Sequence, residues 1–136
     1  MIKSKITIRV RYGETDQMGF AYYGVYAQYY EVGRVETLRQ IGFSYREMEE
    51  KGIMLPVSDY NIKFIKPARY DDEVTIETTI RVLPTVRFNF EYECFNSARE
   101  LLNTGKVTLV FMDKKRNKAC APPDWFIEKI KHHFHS

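Results

Sequence analysis

The residues best suited to chemistry lie within residues 10–39. A polar turn, Gly13-Glu14-Thr15-Asp16, follows the end of a strand, and Gly19 comes shortly after it. An aromatic-rich helix is expected from about Tyr23 or Gly24. Asp16 therefore stands a few residues ahead of a helix N-terminus, where backbone N–H groups are unpaired and the partial charge is positive. Such a terminus can stabilise a developing oxyanion. A carboxylate base or nucleophile and an electrophilic pocket can thus face each other across this short stretch. The same Thr-Asp-x-x-Gly pattern also has a structural use, because Asp side chains bond their own backbone in turns.

Other chemistries find little footing. GxSxG, GxxxxGK[ST], GxGxxG and HExxH are all absent from the sequence. The histidines are His132, His133 and His135, all at the very end of the chain, so a Ser–His or Cys–His pair in the core is not expected. That HHxH tail has metal-ligating residue types, but a solvated end is the simpler expectation, and no metal is assigned. Lys114, Lys115, Arg116 and Lys118 read as a solvated basic turn. Hydrolytic chemistry must then rest on carboxylates, of which Asp16 is the best placed.

The chain has 136 residues, enough for one domain with a sizeable core. Its net charge of +3 gives no reason to expect a nucleic-acid partner. Aromatic residues make up 15%, which favours buried strands and an aromatic-lined pocket or interface. Two cysteines, Cys94 and Cys120, make a poor disulfide framework and point to a reducing, cytoplasmic setting. No run approaches the ~20 apolar residues a membrane helix needs, so no membrane insertion is expected.

Periodicity supplies the frame that must position Asp16. Residues 5–12 read as a first strand. A helix over 24–41 has a face of Tyr26, Tyr30, Gly33, Thr37 and Ile41, with Tyr29 and Leu38 beside it. Its far side carries Gln28, Glu31, Arg39 and Gln40, and Gly42 ends it. Gly33 costs about 1 kcal/mol inside a helix, which implies a close approach to a strand or a second subunit. Glu31 and Arg34 are spaced as a helix ion pair. Ser44 and Glu47 fit a capping box opening a short second helix. Strands follow at 56–66, 73–82, 86–94 and 101–112, and the middle two alternate cleanly. One strand, one long helix and four strands make an α+β domain, an antiparallel sheet covered by one helix. Residues 122–134 read either as a helix with Pro at its start or as a partly ordered tail.

The pattern Tyr12-x-x-Thr15-Asp16-x-x-Gly19-x-x-Tyr22-Tyr23-x-x-Tyr26 resembles that of the hot-dog-fold acyl-CoA thioesterases. It is most similar to the branch of 4-hydroxybenzoyl-CoA thioesterase and the Tol-Pal-associated bacterial thioesterases. The likeness continues through Tyr30-Glu31-x-x-Arg34-x-Glu36-x-x-Arg39, Pro67-Ala68-Arg69-x-Asp71-Asp72 and Ile76-Glu77-Thr78, and covers about residues 6–112. It implies a single hot-dog domain, the sheet wrapped around the helix, with residues 113–136 as an appendage. It implies hydrolysis of an acyl-CoA with no cofactor, CoA being part of the substrate. The family's catalytic aspartate falls on Asp16, its polarising N–H on Tyr23 and its turn glycine on Gly19. Many relatives carry histidine at the position of Tyr23, so the implied role there is that of the main chain. The CoA-facing turn falls on 84–87, where Thr85 and Arg87 are the polar candidates. The family's habit of building sites between subunits implies a homodimer or homotetramer.

The remaining candidates each have a plain alternative. Tyr22, Tyr26 and Tyr29 are pocket residues or ordinary core and interface aromatics. Lys66 and Arg69 meet a phosphate or merely sit in an exposed turn. The function itself has a second reading, a non-hydrolytic module that binds acyl-CoA without releasing thiol.

Overall fold

The protein is described by a computed structural model covering residues 1–134. β1 (Ile2–Arg9) leads through a 3-10 turn at Tyr12–Glu14 to α1 (Val25–Gln40) and the short α2 (Tyr45–Glu50). β2 (Ile53–Met54), β3 (Val57–Phe64), β4 (Glu73–Ile80), β5 (Arg87–Phe95) and β6 (Leu101–Val110) follow. β7 (Met112–Asp113), β8 (Lys118–Ala119), α3 (Asp124–Ile130) and a 3-10 turn at Lys131–Phe134 complete the chain. One antiparallel sheet runs in the order β1-β4-β5-β6-β3, and β2, β7 and β8 form a small second sheet.

The clean alternation of β4 and β5 is reproduced in their burial. Val74, Ile76, Thr78 and Ile80, then Phe88, Phe90, Tyr92 and Cys94, all face inward. α1 lies across that face, in contact with β1 and β4. Its buried residues include Tyr26, Tyr29, Tyr30, Gly33, Thr37 and Leu38, the face expected from spacing. Tyr30 stacks on Tyr92 with centroids 4.2 Å apart and bonds Asn103 through its hydroxyl. Gly33 is needed for the approach: a Cβ there would stand 2.7 Å from Thr78 Oγ1 and 3.1 Å from Ile76 Cγ2. Of the two close approaches expected, the one to a strand is therefore realised. Ser44 caps α2 by accepting the Glu47 N–H at 3.1 Å.

Several expectations need correction. The first strand begins at Ile2 and ends at Arg9, because Ile2–Lys5 pair with Ile80–Glu77 of β4, a partner distant in sequence. The last long strand ends at Val110, and Met112 belongs instead to the small sheet, whose two-residue strands carry no period to detect. Arg34 does not pair with Glu31 on the helix surface. It is 7% exposed, and its Nε donates to Tyr45 Oη at 3.2 Å, because α2 folds back over that face of α1. The chain's end takes the helical alternative over 124–130, with Pro123 as N-cap. Phe126 and Ile130 are fully buried, and Phe126 stacks on Phe43 at 4.4 Å. His135 lies outside the described residues. Lys114–Asn117 form an exposed turn, with Lys114 Nζ 3.6 Å from Glu49 and Arg116 Nε 3.7 Å from Asp113.

Candidate functional site

The segment between β1 and α1 is irregular, and its shape is set by short-range hydrogen bonds. Asp16 Oδ1 accepts the N–H of Met18 at 2.9 Å and of Phe20 at 3.2 Å, the turn-forming pattern open to an Asp here. Its backbone adds the Gly19 N–H at 3.0 Å, and the Asp16 N–H donates to Phe20 O at 2.8 Å. Gly19 takes φ +79°, which a side chain would strain, and its carbonyl accepts the Tyr70 N–H at 3.0 Å. Both turn bonds fall on Oδ1. Oδ2 has no hydrogen-bond partner among the described residues, so Asp16 holds its own turn and still presents a carboxylate oxygen.

At the other wall, Tyr22 N–H donates to Glu14 O at 2.7 Å and Val25 N–H to Tyr22 O at 2.9 Å. The Tyr23 and Gly24 N–H groups take part in none of these bonds, as expected for the free donors at a helix start. Asp16, Tyr23, Tyr26 and Lys66 border one cleft of about 310 Å³, together with Phe20 and Phe64. Tyr26 forms its buried floor, with Oη accepting the Ala68 N–H at 3.2 Å. Burial first of all, only partly offset by that bond, raises the Tyr26 pKa. Lys66 stands at the rim in an ion pair with Glu100.

The other expected site residues lie around or away from this cleft. Tyr22 leans on Tyr23, centroids 4.5 Å apart, and borders a neighbouring depression with Arg11, Glu14 and Gln28. Arg69 pairs with Phe20 through a backbone bridge and holds its guanidinium 5.0 Å from the Phe20 ring centroid. Thr85 and Arg87 are exposed at the opposite end of the sheet. Arg87 pairs with Val110, whereas Phe64 at the cleft pairs with Asn103 of the same strand. That separation is roughly 24 Å at about 3.4 Å per residue. No group of three or more His, Cys, Asp or Glu residues is placed to hold a metal among the described residues.

Sequence reasoning missed the part of Glu14 beside this site and its contact with Tyr29. Glu14 Oε1 accepts Tyr29 Oη–H and the Arg11 N–H, each at 2.9 Å, and Oε2 accepts the Arg11 guanidinium at 2.7 Å. Burial alone would raise the Glu14 pKa, but the bonds from Arg11 and Tyr29 outweigh it and the net shift is downward. Tyr29 is correspondingly held far above the ordinary phenol value, by burial first and then by Glu14. Nothing in the spacing of Glu14 and Tyr29 signals a contact, because they join across an irregular turn.

Residues 10–130 match the family model described as the thioesterase-like superfamily. The chain belongs to this superfamily. Its matched span runs to Ile130, beyond the 112 at which the sequence likeness stops, and takes in α3. YneP of Bacillus subtilis (strain 168) is 37% identical over 126 residues, 90% of this chain and 91% of that protein. The acyl-CoA thioester hydrolase YbgC of Escherichia coli O157:H7 is 30% identical over 124 residues, 91% of this chain and 92% of its own. A crystal structure of the DHNA-CoA thioesterase of Staphylococcus aureus superposes with a TM-score of 0.91 at 36% identity, covering 98% of this chain and 92% of that one. Architecture and relatives agree on the hot-dog fold, in which the strand-helix-strands order wraps the sheet over α1.

Proposed function

We propose that this superfamily member hydrolyses an acyl-CoA thioester to the free acid and CoA. The observation that carries the reading is one cleft bordered by Asp16, whose Oδ2 has no partner among the described residues, and by Tyr23 at the donor-rich start of α1. The thioester carbonyl oxygen would take the Tyr23 N–H, aided by the helix dipole, as negative charge develops on it. Asp16 would then remove a proton from water as the water attacks, or attack the carbonyl carbon itself to form an anhydride that water cleaves. Either route breaks the C–S bond, and the departing sulfur leaves as CoA thiol. Phe20, Phe64 and Tyr26 offer apolar area to the acyl group. Gly19 keeps the turn open, and Lys66, Arg69 and Tyr22 are candidates for the pantetheine and phosphate side.

A homodimer fits this reading. β3 is an unpaired edge of the sheet, with Val57 50%, Tyr60 38% and Phe64 50% exposed. A free apolar edge calls for cover. Antiparallel pairing of β3 with a second copy would bring the Val57 end of that copy beside the Phe64 end of the first. Thr85 and Arg87 of the second copy then approach the cleft that they cannot reach within one chain. Light scattering giving 16.2 kDa at micromolar concentration would count against this assembly. A cytoplasmic setting suits the two free cysteines, and no helix among the described residues is long and apolar enough to cross a membrane.

A panel of short, long and aromatic acyl-CoAs, assayed by release of free thiol, tests the function. Turnover of at least one class at a catalytic rate is expected. Binding of CoA thioesters with no thiol release would refute hydrolysis and favour a non-hydrolytic acyl-CoA-binding module.

A further inference from the structure

Asp16 and the Tyr23 N–H lie on opposite limbs of an irregular segment, so something must hold them in register. Val10 N–H to Asp72 O at 2.8 Å and Ala21 N–H to Ala68 O at 2.8 Å tie the segment to the turn before β4. Neither bond links the Asp16 limb to α1. Glu14 does so in two ways. Its carbonyl accepts the N–H of Tyr22, the residue just before Tyr23, at 2.7 Å. Its carboxylate accepts the hydroxyl of Tyr29, on the second turn of α1, at 2.9 Å. The same carboxylate closes the 3-10 turn through the Arg11 N–H and guanidinium. Glu14 thus joins the strand exit, the Asp16 turn, the approach to the helix and the helix itself.

We propose that Glu14 is a positioning residue, clamping the Asp16 limb to α1 through Tyr29 and so setting the distance between the carboxylate and the Tyr23 N–H. The role rests on the proposed function, in which those are the working groups. Glu14 borders the depression on the far side of the turn and not the cleft itself, so it acts through its neighbours and does not touch substrate. Its side chain is only 10% exposed, and charge-assisted hydrogen bonds hold it from two directions. Tyr29 is 2% exposed and meets Tyr26, the floor of the cleft, edge to face at 5.8 Å. Movement of Tyr29 would therefore reach the cleft through its floor as well as through the Asp16 turn.

The test compares Glu14→Gln and Tyr29→Phe with the wild type by kcat, KM and thermal melt, with rates taken per folded molecule. Glutamine keeps the size, and its amide oxygen can still accept from Tyr29 Oη and the Arg11 N–H, but it loses the charge and the bond from the Arg11 guanidinium. Phenylalanine keeps the ring and leaves the Arg11–Glu14 pair alone. Misplacement of about 1 Å can cost ~100-fold in rate, so the opened clamp should lower kcat by at least ~10-fold in Tyr29→Phe, which cannot make the bond to Glu14. A smaller fall is expected in Glu14→Gln, with KM within about twofold in both. A merely structural role predicts activity that follows the folded fraction, with kcat per folded molecule unchanged, and that result overturns the clamp. Should Glu14→Gln not fold, Tyr29→Phe decides by the same criterion. A wild type that releases no thiol from any acyl-CoA overturns the proposed function and the positioning role with it. A wild type that turns over beside variants of equal kcat overturns the positioning role alone.

Discussion

Asp16→Asn separates the chemical use of this side chain from its structural use. Asp16 Oδ1 accepts two backbone N–H bonds, at 2.9 and 3.2 Å, and an asparagine amide oxygen can accept both. What asparagine lacks is the negative charge and the second carboxylate oxygen. Exchanging a charged for a neutral acceptor at a half-buried site costs up to about 1 kcal/mol. For a chain of this length that is a melting shift of roughly 3–5 °C or less. The rate should fall far more, by at least ~100-fold, because the amide cannot take a proton at neutral pH and is a poor nucleophile. Asp16→Ala provides the contrast. It deletes both turn bonds, so it should lose the activity and also about 1–3 kcal/mol, with water replacing part of the bonding at the exposed Met18 N–H. Thermal melts and thiol release on the same preparations give both quantities. An Asn variant that melts like wild type and keeps more than about a tenth of its rate refutes the carboxylate mechanism. An Asn variant whose activity merely tracks its folded fraction reduces Asp16 to a turn prop.

Three further outcomes are expected. A Cβ on Gly105 would stand 2.3 Å from Tyr30 Cε2, and Tyr30 is fully buried between Tyr92 and Asn103. Gly105→Ala should therefore lose about 2–5 kcal/mol by overpacking and a disturbed buried hydrogen bond, and a urea midpoint equal to wild type would contradict this packing. Burial pushes the Cys94 thiol up to about 12, and Cys120, also raised, is only partly buried. Iodoacetamide at pH 8 should thus modify Cys120 well before Cys94 in the native protein, read by peptide mass spectrometry. The Glu14 carboxylate titrates below its ordinary value of 4.5 when folded, so its stabilising effect is present above 4.5 and is lost as pH falls through the folded value. The difference in melting temperature between wild type and Glu14→Gln should accordingly be widest above about pH 5 and shrink in acid; a constant gap would mean the charge is not what stabilises.

Legibility followed the range of the interactions. The alternation of Val74–Ile80 and Phe88–Cys94, the buried stripe of α1 and the tight Gly33 contact were all readable, because period and glycine placement are local properties. The local shape around Asp16 was readable too: its side chain is tied to its own turn within four residues, and α1 begins at Val25. The order strand, helix, strands, together with the spaced motif around Asp16, sufficed for the fold class and the family. Other features depended on partners far along the chain. Ile2 needs Ile80, Arg34 needs Tyr45 folded back from α2, Phe126 needs Phe43, and the two-residue strands need one another. The closing of Glu14 on Tyr29 is of the same kind, since an irregular turn has no period from which a meeting of positions 14 and 29 can be read. Local residue types determined which groups were available for chemistry. Only the tertiary fold decided which of them share a cleft, left Thr85 and Arg87 at the far end of the sheet, and brought Tyr26, Phe64 and Lys66 to the side of Asp16.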